Sequence, residues 1–143
     1  MIRKLQKVDI NRVADIWLKT NLKAHFFIPE QYWISNYEFV KEMLSQAEVY
    51  VYEDDKMIQG FIGVSDEYIE GIFVSDEMQS CGIGKMLLDY IKDKKDKLQL
   101  KVYQKNVRAM SFYQREGFTI QSEEMDEFTR EKEYVMNWES SGI

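Results

Sequence analysis

Several things are scarce in this chain, and each scarcity closes off a class of protein. It has one cysteine, Cys81, so no internal disulfide can form, and a reducing, cytoplasmic setting is expected. It has one histidine, His25, and no Cys/His cluster, so a structural zinc site is not expected, nor any other metal. No apolar run approaches the ~20 residues that span a bilayer. The basic start, Met1-Ile2-Arg3-Lys4, lacks the apolar core of a signal peptide, so no membrane association is expected. Lys and Arg number 19 against 25 Asp and Glu, a net charge of −6. Nucleic acid, which needs a basic surface, is therefore not an expected partner. The acidity fits a cationic or amine substrate, and it fits plain solubility equally well. There is no internal repeat, low-complexity segment or linker, so residues 1–143 are expected to form a single domain.

What is present points to a packed core. Apolar residues make up 45% of the chain and aromatics 14%, a globular composition at a length sufficient for a core. Ile2 to Leu5 reads as a short strand. Asp9 is placed to cap a helix with Val13, Ile16 and Trp17 on its apolar face. His25-Phe26-Phe27-Ile28 interrupts that helix, and Pro29 suits the first turn of a second one, from about Glu30 to Ser45. Residues 48–53 and 56–65 read as strands joined by the turn Asp54-Asp55-Lys56, an antiparallel hairpin. A third strand of the meander covers 69–74. A helix from Gly82 to about Lys97 and a strand over 98–103 follow, a pattern that predicts a right-handed parallel crossover. Asn106 caps a further helix that Gly117 ends, and 118–121 and 133–138 form two last strands around an acidic hairpin, Ser122 to Glu131.

The junction between the third strand and its helix carries the chemistry. Ile72, Phe73 and Val74 run into a polar turn, and Cys81-Gly82-Ile83-Gly84-Lys85 opens the helix. The first N–H groups of a helix have no internal partner and carry the positive end of its dipole. Glycines there let an anion approach closely, and Lys85 adds a cation, so this corner reads as a pyrophosphate cradle. It is not a P-loop, because Met86 stands where a Ser or Thr would be needed. It is not the dinucleotide fingerprint either, because position 87 is Leu. Cys81 sits at a helix start, where thiol pKa falls. No His or Asn is paired with it in local sequence, so it reads as a small loop residue rather than a nucleophile.

The spacing Gln79-x-x-Gly82-x-Gly84 after a strand resembles the acetyl-coenzyme A signature of the GNAT (Gcn5-related N-acetyltransferase) family. The segment Asn106-x-x-Ala109-x-x-Phe112-Tyr113-x-x-x-Gly117-Phe118 is similar to that family's second signature. In the His25-to-Ile28 interruption, the Val102-Tyr103-Gln104-Lys105-Asn106 strand end and the Met136-x-Trp138 terminus, the chain resembles small bacterial members, including some that acetylate protein lysines. The resemblance covers essentially the whole chain. It implies an α+β fold in α/β/α layers, with a mixed, mostly antiparallel sheet of about six or seven strands, a splayed parallel pair and about four helices. It also implies a division of labour. The backbone at Ile72, Phe73 and Val74 would bind the pantetheine arm of acetyl-CoA. Gln79, Ser80, Cys81, Gly82, Ile83, Gly84 and Lys85 would hold the diphosphate. Asn106, Ala109, Phe112 and Tyr113 would lie along the arm. The family often has Arg where this chain has Gln79, so a charge is missing there.

The resemblance thus implies acetyl transfer from acetyl-CoA to a primary amine by direct attack in a ternary complex. The amine could belong to a protein lysine, a peptide N-terminus or a small molecule. Tyr113 would protonate the leaving sulfur. Glu70, on a central strand facing the same side as Tyr68, is the first candidate for the base, with Glu67 and His25 behind it. His25, Phe26, Phe27, Tyr32 and Tyr68 are the candidates for the acceptor groove. Two other readings compete: a non-catalytic coenzyme A-binding module of the same shape, and a nucleotide-binding regulator. The protein could be a monomer or a homodimer.

Overall fold

A computed structural model describes residues 1–141. Seven strands join one sheet in the order β1-β2-β3-β4-β5-β7-β6. They are β1 (Ile2–Lys4), β2 (Glu48–Asp54), β3 (Met57–Ser65), β4 (Tyr68–Val74), β5 (Lys97–Tyr103), β6 (Thr119–Met125) and β7 (Lys132–Glu139). All neighbours are antiparallel except β4 and β5. Helices cover both faces. On one, Val13, Ala14 and Ile16 of α1 (Ile10–Ala24) and Leu44 of α3 (Tyr37–Leu44) bury Val49, Val51, Ile58 and Phe61. On the other, Ile83, Leu87, Leu88 and Ile91 of α4 (Ile83–Lys92) and Tyr113 of α5 (Val107–Arg115) bury Ile62, Val64, Ile69, Leu98, Leu100, Val102 and Met136. Full burial of Leu87, Leu88 and Ile91 contributes about 1.5–3 kcal/mol each. The Lys85–Asp89 pair on the same helix is solvent-exposed and screened, so it adds little by comparison. The apolar face therefore fixes where α4 sits. No helix among the described residues is long and apolar enough to cross a membrane.

Four expectations shift. The helix over 30–45 is two, α2 (Glu30–Ser35) and α3, because Asn36 turns its amide back to the Tyr32 carbonyl at 2.6 Å and ends the first. Asp9 closes a short 3₁₀ turn before α1 instead of capping it. Its carboxylate accepts the Gln6 N–H at 2.8 Å and an Arg3 N–H at 2.7 Å. Helix α4 stops at Lys92, where the N–H groups of Lys94 and Lys95 both return to the Ile91 carbonyl, and β5 begins at Lys97. Strand β6 runs on to Met125, beyond the expected Gln121. Every residue of this edge strand is exposed, so no alternation marks its length.

One irregularity positions the site. β5 and β7 pair at seven consecutive positions, but β4 and β5 pair only at Tyr68 and Gln99, beside a bond from the Gln99 N–H to the Glu67 carbonyl at 2.9 Å. Beyond that point the parallel strands part. The cause lies on the other edge of β4. Gly63 pairs with Gly71 and Val64 with Ile69, so Glu70 is an extra residue with no partner in β3. A bulge of this kind bends its strand and raises the local twist. It also explains why Ile69 and Ile72, three residues apart, both pack under α4.

At the open end of the wedge, α4 lies against the backbone of β3. A Cβ on Gly60 would stand 2.9 Å from the Phe73 carbonyl oxygen and 3.1 Å from Ile83 Cγ2. Gly60→Ala is therefore expected to cost about 1–3 kcal/mol by overpacking. That is a fall of several degrees in Tm, at about 2–4 °C per kcal/mol. Calorimetry giving a parental Tm would show that α4 does not rest on Gly60.

Candidate active site

The corner after β4 is built by a change of backbone hand. Ser75 is buried, with its N–H and hydroxyl both donating to Gln59 at 2.7 Å, and this ends the strand. A 3₁₀ turn (Asp76–Met78) leads to Ser80 at φ 68° and Gly82 at φ 83°. Glycine meets no steric penalty in that conformation. A Cβ on Gly82 would have nothing within 4 Å, so the corner is open to approach. The first helical bond of α4 runs from the Met86 N–H to the Gly82 carbonyl at 3.0 Å. The N–H groups of Ile83, Gly84 and Lys85 precede it at the positive end of the helix, an arrangement suited to an anion.

The side chains there divide differently from expectation. Lys85 turns away: its ammonium contacts Glu116 at 2.9 Å and Asp89 at 3.5 Å, so it offers the cradle a backbone N–H rather than a free charge. The hydrogen bond to Glu116, with Asp89 beside it, raises its pKa. Arg108, given no role in the sequence analysis, places a cation beside this corner. Its Nη1 donates to Gln79 Oε1 at 2.7 Å and its Nη2 to Ser80 Oγ at 3.2 Å. A basic residue in the first turn of α5 runs against the helix dipole, and that was the signal available. Gln79 also donates from Nε2 to the Val74 carbonyl at 3.2 Å. Cys81 is exposed, whereas the side chain of Ile83 is buried in the core. A Cβ on Gly84 would lie 3.6 Å from Phe112 and 3.9 Å from Val74. The first turn of α4, the ring of Phe112 and the end of β4 thus converge.

Along the wedge, Ile72 and Val74 pack under α4, and Phe73 stacks on Phe61 at 4.9 Å. These residues offer backbone groups to the gap. Beyond Tyr68 the β5-facing edge of β4 has no strand to pair with, and such an edge accepts an extended polar chain.

Asn106 stands across the gap. Its Oδ1 caps α5 by accepting the Ala109 N–H at 3.2 Å, and its Nδ2 lies 3.0 Å from His25 Nε2. An amide nitrogen only donates, so Nε2 accepts and the imidazole hydrogen is on Nδ1, facing Asn21 Oδ1 at 2.9 Å. Burial pushes the His25 pKa down to about 4. The ring stacks on Trp33 at 5.4 Å, with Tyr103 at 5.0 Å and Phe27 at 5.7 Å against it. Both ring nitrogens have protein partners, and the residue is half-buried. Phe27 is half-buried and Phe26 is 82% exposed. Tyr32 meets Trp33 edge-on at 4.9 Å.

The sheet face beyond β4 carries acids and phenols. Tyr68 is half-buried, and burial followed by the charge of Glu70 raises its pKa. Glu70 is exposed at the bulge, accepting the Ser65 hydroxyl at 3.1 Å. Tyr103 donates to Asp126 at 2.8 Å, and Lys101 pairs with Glu124 at 2.9 Å. Glu133 was read only as the first residue of the last strand, with no role at the site. It lies between Tyr103 of β5 and Glu124 of β6, and burial, then Asp126, raises its pKa. Tyr113 is buried between Phe112 and Phe118. Burial, then the phenol of Tyr68, pushes its pKa up.

Residues 45–120 match the family model of the acetyltransferase (GNAT) domain. Over 140 residues the chain is 31% identical to the peptidyl-lysine N-acetyltransferase YiaC of Escherichia coli, with 96% of each covered. It is 24% identical over 121 residues to the peptidyl-lysine N-acetyltransferase YjaB of the same organism, covering 83% of this chain and 82% of that one. Among solved structures, apo-form YjaB from Escherichia coli superposes with a TM-score of 0.87 at 19% identity, covering 99% of this chain and 98% of that one. PaiA N-acetyltransferase from Thermoplasma acidophilum, in complex with coenzyme A, gives 0.80 at 20% identity, covering 97% and 98%. Both show the same fold.

The state of Tyr113 can be read directly. Its raised pKa keeps it a neutral phenol where an ordinary tyrosine, near about 10, ionises. An ultraviolet difference titration between the parent and Tyr113→Phe is expected to show no tyrosinate missing at that midpoint. A lost transition there would mean an accessible, ordinary phenol.

Proposed function

The chain belongs to the GNAT family of acetyl-CoA-dependent N-acetyltransferases, and from that premise we propose that its acceptor is a lysine side chain of a protein or peptide. The observation that carries the reading is the parted pair β4 and β5. One end opens on the left-handed corner at Gly82, and Asn106 caps, and Tyr113 belongs to, α5, the helix that follows β5. The fit to acetyl-CoA rests on these residues. The unpaired edge at Phe73 and Val74 suits the amides of the pantetheine arm. The N–H groups of Gly82, Ile83, Gly84 and Lys85 suit the diphosphate, with Arg108 supplying the charge that Gln79 lacks. Ser80, Cys81 and Ala109 contribute backbone, while Ile72, Val74 and Phe112 wall the passage.

Bound acetyl-CoA supplies an activated acyl carbonyl and a thiolate leaving group. A lysine amine, with an ordinary pKa of about 10.4, must lose its proton before it attacks. Glu133, half-buried opposite Tyr103 of β5 with its pKa raised by burial and then by Asp126, joins Glu70 as a candidate base, directly or through water. Glu70 also attracts the ammonium. The N–H groups at the end of β4 meet the negative charge developing on the carbonyl oxygen. Tyr113, held neutral, gives its proton to the departing sulfur and regains one from solvent. Holding amine and acyl group side by side supplies much of the remaining acceleration. Relatives named as peptidyl-lysine N-acetyltransferases support the acceptor class. So do the acidic, tyrosine-bearing face and two exposed rings beside it, Phe26 at 82% and Phe128 at 77% exposure, which suit a peptide better than a small polyamine.

Thiol release from acetyl-CoA, measured with lysine peptides, polyamines and aminoglycosides, tests this. The lysine peptides are expected to give the highest kcat/KM, and Tyr113→Phe to lower kcat about 10-fold or more with acetyl-CoA affinity retained. Turnover confined to polyamines or aminoglycosides would refute the acceptor class. Parental kcat in the Phe variant would remove Tyr113 from the chemistry.

A further inference from the structure

We propose that His25 is a positioning residue for the cofactor arm, acting through Asn106 from the acceptor-side loop. The inference rests on the transferase reading and deepens it. The carboxamide of Asn106 has one oxygen and two hydrogens to place. The oxygen accepts the Ala109 N–H at 3.2 Å. One hydrogen goes to His25 Nε2 at 3.0 Å. Two bonds fix the plane of a flat group, so the second hydrogen is held for a ligand acceptor. An amide carbonyl of an arm lying on the free edge of β4 is the chemistry it suits.

The support behind His25 is continuous. Asn21 is 97% buried. Its Nδ2 donates to the Trp17 carbonyl at 2.8 Å, which turns its Oδ1 toward His25 Nδ1 at 2.9 Å. That contact sets the tautomer with Nε2 as acceptor, the only form that can take a hydrogen from Asn106. The stack on Trp33 fixes the ring plane. His25 and Asn106 are 81 positions apart. This bond therefore ties the connection between α1 and α2, which carries Phe26 and Phe27, to the first turn of α5. The depressed pKa of His25 keeps the acceptor nitrogen free of a proton at neutral pH. Without this bond, the side chain of Asn106 still caps α5 but can rotate about that cap, leaving its free hydrogen unaimed.

Two ligands separate an effect on the arm from a general one: acetyl-CoA, and 3′-phospho-ADP, which has the diphosphate end but no arm. By titration calorimetry, His25→Phe, which keeps a ring but no acceptor, is expected to weaken acetyl-CoA about 3- to 10-fold while leaving 3′-phospho-ADP within about twofold. His25→Gln, whose carboxamide oxygen replaces Nε2, is expected to recover most of the loss. His25→Phe combined with Asn106→Ala is expected to bind acetyl-CoA no worse than Asn106→Ala alone. If the Phe variant does not fold, His25→Met, flexible and without an acceptor nitrogen, is expected to show the same selective loss. Unchanged acetyl-CoA affinity in the folded variant, or an equal loss for both ligands, would overturn the role of His25. Failure of the parent itself to bind acetyl-CoA would overturn the transferase reading instead.

Discussion

One extra residue in one strand shapes the molecule's business end. Glu70 has no partner in β3, and the strand that carries it separates from β5 after a single paired position. Breaking a ladder inside a sheet exposes backbone donors and acceptors that must be paired by something. A groove for an extended amide-bearing ligand is one answer. The core on either side is complete: α4 is buried along one face against the sheet, and α1 and α3 close the other. The gap is therefore held open by well-packed neighbours rather than left by poor packing. Glycine serves the same design twice, at Gly60, where helix meets strand backbone, and at Gly82, where the chain turns left-handed before α4.

Around that gap, groups that titrate are held in their neutral forms or tied to partners. Burial keeps Tyr113 protonated and His25 unprotonated, and it biases Glu133 toward carrying a proton. A neutral phenol can donate a hydrogen bond and a neutral imidazole can accept one. Cationic charge is handled separately. Lys85 is neutralised by Glu116, and Arg108 reaches the anion corner from a different helix. Phe112 beside Gly84 joins α4 and α5 at this corner.

Much of this was legible in the residues. The meander, the crossover and the corner at Gly82 follow from strand and helix periods meeting at a Gly-x-Gly step, and Asn106 reads as a cap from its place before an apolar helix face. The misses share a physical cause. Asn36 divides a helix through a side-chain bond to Tyr32, a competition that periodicity does not register. Strand β6 buries none of its residues, so it has no alternation to show. The contacts of Lys85 with Glu116 and of Arg108 with Gln79 join residues far apart in the chain, which local spacing does not show. His25 was read from its place at a helix end beside Phe26 and Phe27. Only the fold brings it to Asn106.

The central claim is that the parted strands receive the cofactor, with its diphosphate on the start of α4. Amide chemical shifts of ¹⁵N-labelled protein during a coenzyme A titration test it most directly. The largest changes are predicted at Gly82, Ile83 and Gly84 and at Phe73 and Val74, on the two sides of one continuous path. Changes clustered elsewhere, with those five amides unmoved, would contradict the account.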